Sequence, residues 1–168
     1  MFDLILPYFV AVSVGIGASS PVTDGTATST MVSPSTDLTQ RIAEDQTPTG
    51  LFTTAFEVKP ILNMTQGSWV AVRNYEGQDL LYFAHLLAWR CGLWGVQYGI
   101  NDNAPTNPLD LEPCYADAPT PNALNDIETY LPYISLPENS IETVTILLEF
   151  DDGTTQTVTF DRAAIQIP

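Results

Sequence analysis

Between Ile141 and Phe160 the chain alternates apolar and polar residues twice, with Asp151-Asp152-Gly153 in between. Val144, Ile146, Leu148 and Phe150 stand against Thr143, Thr145 and Glu149 in the first run, and Val158 and Phe160 belong to the second. A period of two marks a strand with one buried face. A two-residue turn at Asp152-Gly153 would set Leu147 opposite Val158 and split the apolar set between faces. A three-residue loop instead pairs Ile146 with Val158 and Val144 with Phe160, and all four share a face. A one-residue slip turns every side chain over, so the buried face selects the register. The expectation is a hairpin with a type I turn and Gly153 in the left-handed bulge position.

The densest apolar stretch runs from Asp79 to Asn101, DLLYFAHLLAWRCGLWGVQYGIN. It carries two of the three Trp, the only His and one of the two Cys. Trp94, Val96, Tyr98 and Ile100 form a period-two face, and the glycines among them are poor helix material, so a strand is predicted there. Asp79 to Arg90 is apolar almost throughout, and periodicity does not separate a buried strand from a buried helix. We read it as a second, central strand covered on both faces.

Upstream, residues 1–18 are mostly apolar and are followed at once by small polar residues, the pattern of a secretory leader with Gly17 and Ala18 near the cleavage point. The run is shorter than the roughly 20 residues that span a bilayer. Residues 19–50, rich in Ser, Thr, Pro, Asp and Gly, read as a disordered linker, and 51–168 as the folded domain. Phe52 to Val58 reads as extended. Pro60 and Gly67 bracket a short helical turn. Trp69 to Tyr75 reads as a strand, followed by a turn at Glu76-Gly77-Gln78. Residues 101–140 hold 7 of the 13 prolines and form a long crossover loop, pinned by Cys114 and anchored by Tyr115, Tyr130, Leu131, Tyr133, Ile134 and Leu136. One helical turn is expected over Leu124–Tyr130, and a short terminal edge over Ala164–Ile167 with Ile165 and Ile167 inward.

About six strands with short turns give an all-β chain, an antiparallel β-sandwich immunoglobulin-like in outline. Trp and Cys close together on a central strand resemble that family. Cys91 and Cys114, with only 22 residues between them, are too near in sequence for its usual inter-sheet bridge, so the likeness concerns architecture alone. The segment Trp69–Pro121 is similar to uncharacterised exported proteins of alphaproteobacteria, a resemblance that implies no activity. An even cysteine count in an exported chain predicts one disulfide, Cys91–Cys114.

With 20 Asp+Glu against 5 Lys+Arg the net charge is −15, and Lys59 is the only lysine. Such a surface repels phosphate backbones and anionic headgroups, which argues against nucleic acid and bare membrane as partners. His85 is the only histidine and reads as a structural residue flanked by Phe83 and Leu87. No nucleophile elbow, phosphate loop or dinucleotide fingerprint is present, and no cofactor is expected. Asn101, Asp102, Asn103, Asp110 and Glu112 offer hard oxygen ligands for Ca²⁺, but their spacing fails the EF-hand pattern. Trp69, Trp94, Tyr98 and Tyr115 are candidate ligand-binding rings, as in glycan recognition. Glu57, Glu76, Asp79 and Glu112 are the carboxylates that a hydrolase would need, at strand ends or in loops where solvated charge explains them. The expectation is a non-catalytic exported domain acting on a protein partner in the envelope or at the cell surface. A glycan- or Ca²⁺-binding module and a carboxylate hydrolase are the alternatives.

Overall fold

The computed structural model describes residues 41–168. The expected leader and the first part of the linker lie outside the described residues. The C-terminal hairpin pairs strands β6 (Thr143–Phe150) and β7 (Thr155–Asp161). Ile146 faces Val158, Val144 faces Phe160, and Gly153 has φ +81°. This is the register that burial selects, closed by the three residues Asp151, Asp152 and Gly153.

β3 (Leu93–Ile100) lies antiparallel to β6 and takes the two-residue β4 (Asn107–Pro108) on its other edge, so one sheet has the order β4-β3-β6-β7. The second sheet has the order β1-β2-β5, from β1 (Ala71–Tyr75), β2 (Gln78–Tyr82) and β5 (Tyr133–Pro137), again antiparallel. The chain is therefore mostly β, with two antiparallel sheets and a few short helices. Val144, Ile146, Leu148 and Val96 of one sheet share a core with Val72, Leu81, Ile134 and Leu136 of the other. At the tip of β1–β2, Glu76 and Gly77 have φ of 50° and 75°, the two left-handed residues a type I′ turn requires.

Several expectations give way to the tertiary structure. Phe52–Val58 is not extended: helix α1 spans Ala55–Met64, burying Ala55, Val58 and Leu62 at helical spacing. Its first N–H is capped from far along the chain, since Asp151 Oδ1 accepts from Ala55 N at 2.8 Å. Pro60 falls inside this helix rather than at its start, on the exposed side, with no N–H to give the Phe56 carbonyl.

Asp79–Arg90 is strand only as far as Tyr82; Ala84–Leu87 forms a helical turn, α2, and Arg90–Gly92 a 3₁₀ turn. The 3₁₀ turn approaches α1 so closely that a Cβ on Gly92 would stand 2.8 Å from the Thr54 carbonyl oxygen. The inward face of β3 is also altered at its start. Pairing with β6 shifts by one residue between Leu93 and Gly95, so Leu93 is buried opposite Phe150 and Trp94 is the extra residue of a bulge. Finally, Arg162–Ile165 is a helical turn, α3, and the expected terminal edge is reduced to a single parallel bridge between Gln166 and Val72. Ile165 is buried as expected, whereas Ile167 is 43% exposed and its N–H joins the Val72 carbonyl at 2.9 Å. In the long loop, the single Tyr130 N to Asp126 O bond supplies the expected helical turn.

The two sheets are also joined by charge. Asp79, on β2, is fully buried and receives Arg162 Nη1 at 2.5 Å and Nη2 at 2.7 Å, with Ile141 N at 3.3 Å. Arg162 follows β7 directly, so one bidentate pair links the sheets and the start of β6. The Arg162 bond, opposed by burial and aided by backbone N–H groups, holds the Asp79 carboxyl at about 2. Solvated charge is the wrong account of this residue.

Candidate functional site

The segment that follows the disulfide, Pro119 to Ala123, supplies one wall of an apolar groove. Cys91 and Cys114 are bonded, with Cα atoms 4.9 Å apart, and a disulfide persists in oxidising compartments. Beside it, Arg90 is 2% exposed and spends its guanidinium on backbone carbonyls. Nε donates to Glu112 O at 2.6 Å, Nη1 to Leu87 O and Asn122 O, and Nη2 to Pro113 O and Ala123 O. Five donors in a fixed planar fork hold the loop against α2, a task an ammonium could not perform.

Glu112 lies 4.0 Å from this guanidinium and is 1% exposed, so it too is not solvated charge. Its Oε1 accepts from Tyr115 OH at 2.7 Å, Asn125 N at 2.8 Å and Asp126 N at 3.0 Å. Burial pushes the Glu112 carboxyl up, but these bonds and Arg90 outweigh it and hold it below its ordinary value. The same contact raises the Tyr115 hydroxyl. Glu112 and Tyr115 are thus brought together, as a lock on the loop. Arg90 occupies the place a cation would take beside Glu112, while Asp102 and Asp110 stay exposed on the loop. Among the described residues no three His, Cys, Asp or Glu side chains cluster to hold a metal ion.

The opposite wall is the segment before α1. Gly50 N, Thr53 N and the hydroxyls of Thr49 and Thr54 all converge on the Glu57 carboxylate, with Gly50 N at 2.6 Å. Burial opposes the charge, yet these donors hold Glu57 at about 2. The tightened segment throws Phe52 to φ +58°, a conformation rare for so bulky a side chain. Phe52 sits edge-on to Trp89 with ring centres 5.4 Å apart. Asn122 ties the walls together: Oδ1 accepts from Cys91 N at 3.0 Å and Nδ2 donates to Phe52 O at 2.9 Å.

Between the walls lies a groove of about 280 Å³ lined by Leu51, Phe52, Trp89, Pro119, Pro121 and Ala123. Leu51 and Phe52 remain 43% and 42% exposed, and Phe56 on α1 is 62% exposed. The Trp89 indole N–H is buried without a partner. None of these groove residues was a sequence candidate. The usable signals were Thr54-x-x-Glu57, a helix-start pattern, and Gly50 ahead of it.

The four candidate rings do not form a platform. Trp69 is fully buried and donates to Leu62 O, so it belongs to the core. Trp94, turned outward by its bulge, donates to Glu44 Oε1 at 2.7 Å and lies under Arg41. Tyr98 packs on Phe83, ring centres 5.4 Å apart, and Tyr115 is held by Glu112. Glu76 is exposed in its turn.

His85 stands on α2, not on a strand, beside a second depression of about 420 Å³ with Trp69, Arg73, Tyr82 and Ile167 in its lining. Among the described residues no Asp or Glu lines it. Burial lowers the pKa of the imidazole, which favours the neutral ring. No helix among the described residues is long and apolar enough to cross a membrane. No protein-family model, curated protein or solved structure matches the chain.

Proposed function

We propose that the chain is an exported β-sandwich domain, immunoglobulin-like in outline, that binds a partner protein of the envelope or cell surface through the Phe52–Trp89–Pro121 groove. The observation that carries this reading is Phe52. An exposed aromatic held at φ +58° costs on the order of 1–3 kcal/mol of backbone strain and contributes little to the core. Strain of that kind is retained where presentation of a side chain is useful. The groove is held on one side by the buried Arg90 hydrogen bonds and on the other by the donors that converge on Glu57, so little ordering entropy is lost when an occupant arrives.

The fitting occupant is an extended segment that places one or two apolar side chains in the groove and carries basic residues beside them. The net charge of −15 steers such a segment and rejects anionic polymers. The disulfide and the apolar leader over residues 1–18 support export.

The test is a photo-crosslinking residue at Leu51 in cells producing the native protein, with the captured protein identified and repurified. Phe52→Gly should remove the crosslink while leaving thermal stability equal or higher, because glycine takes positive φ without strain. A crosslink unaffected by Phe52→Gly, or loss of the fold in that variant, would refute the reading.

A further inference from the structure

The depression beside His85 shares no lining residue with the groove. We propose that it binds a small organic acid, an anion with an apolar body, through Arg73, Tyr82 and His85. At about 420 Å³ it falls in the roughly 300–1,000 Å³ range of small-molecule sites, and its wall is mostly apolar, with Trp69, Val70 and Ile167.

The charge distribution selects the ligand. Of the 5 cations, Lys59, Arg90 and Arg162 stand beside Asp152, Glu112 and Asp79, and Arg41 lies over Trp94. Arg73 stacks on Tyr75, its guanidinium 5.5 Å from the ring centre, and has no carboxylate partner among the described residues. The chain carries 20 Asp+Glu, yet none of those among the described residues lines this depression. An open guanidinium in a carboxylate-free recess suits a carboxylate, which matches its planar fork.

The imidazole has a defined tautomer. Thr65 Oγ1 donates its proton to Ile61 O at 2.7 Å, so towards His85 Nε2, also at 2.7 Å, it accepts. Nε2 therefore carries the hydrogen and Nδ1 is a bare acceptor with no partner among the described residues. A neutral ring of this kind leaves the positive charge of the recess to Arg73 alone. One charge and an apolar floor favour a monoanion with a hydrocarbon body over a heavily solvated polyanion such as phosphate.

The experiment is an amide-resolved NMR titration of the full chain with phenylacetate and hexanoate, with phenylacetamide as the neutral control. Shifts are expected at Ser68–Arg73, Tyr82–His85 and Ile167. Arg73→Gln should weaken acid binding at least tenfold without moving the rest of the spectrum, since the Arg73 side chain is exposed and makes no hydrogen bond among the described residues. The amide should bind at least tenfold more weakly than the acid. Phe52→Gly, which tests the groove, should leave acid binding unchanged. The proposal is overturned if millimolar acid leaves those resonances unmoved, if Arg73→Gln binds as the native chain does, or if the amide binds as well as the acid.

Discussion

Replacing Arg162 by Met would leave the Asp79 carboxylate, fully buried, facing an apolar chain end instead of a guanidinium. Both bonds, at 2.5 and 2.7 Å, would go, leaving the carboxylate to backbone N–H groups such as Ile141 N, at 3.3 Å from Oδ2. Breaking a buried pair from one side costs about 3–5 kcal/mol, most of it the uncompensated charge. The Arg162 side chain is 18% exposed, so the low end, about 3 kcal/mol, is expected. The pH dependence identifies the cause. In the native chain the Asp79 carboxyl is held at about 2 against an ordinary 3.8. A lowered folded value means stability that is present above about pH 4 and lost as the pH falls through 2. Without Arg162 only backbone N–H groups oppose burial, the folded value rises towards or past the ordinary one, and the variant loses less stability than the native chain as the pH falls. Urea unfolding of both proteins at pH 7 and pH 3 should therefore show a gap that narrows in acid. Asp79→Asn added to Arg162→Met removes the charge and should recover part of the loss at pH 7. A loss under about 1 kcal/mol, the exposed-pair range, or a double variant no more stable than Arg162→Met, would refute the assignment.

Cys114→Ala should lower stability by about 3 kcal/mol on the chain-entropy estimate for this loop, and non-reduced peptide mass spectrometry should find Cys91 linked to Cys114. Gly99→Ala should cost about 1–3 kcal/mol in chemical denaturation, because its Cβ would meet the Asn103 carbonyl oxygen and stand 2.8 Å from that of Ala104. Glu57→Gln should abolish an acid-labile contribution that the native chain holds above about pH 4.5 and loses towards pH 2; thermal melts across that window check it. Trp69→Ala should cost about 3–5 kcal/mol in urea unfolding, as a core ring does, with no selective effect on sugar binding.

Local signals were enough where burial left a single choice. The β6–β7 register follows from Val144, Ile146, Val158 and Phe160, since any slip exposes half of them. The extent of β3 and the disulfide were legible for similar reasons, a glycine-rich alternating run in one case and only two cysteines in the other. Tertiary partners decided the rest. Residues 55–64 carry both an extended reading through Phe56 and Val58 and a helical one through Ala55, Val58 and Leu62. Asp151, 96 residues from Ala55, caps the helical choice. Asp79 and Glu112 look like solvated charges in any local window and are buried only because Arg162 and Arg90 reach them. The groove gathers residues 50–52, 89 and 119–123, and its strained Phe52 is held by Asn122, 70 positions away. A pattern of polarity reports which face of an element is buried. It carries no record of which distant group meets that face, and the candidate sites of this chain are built from such meetings.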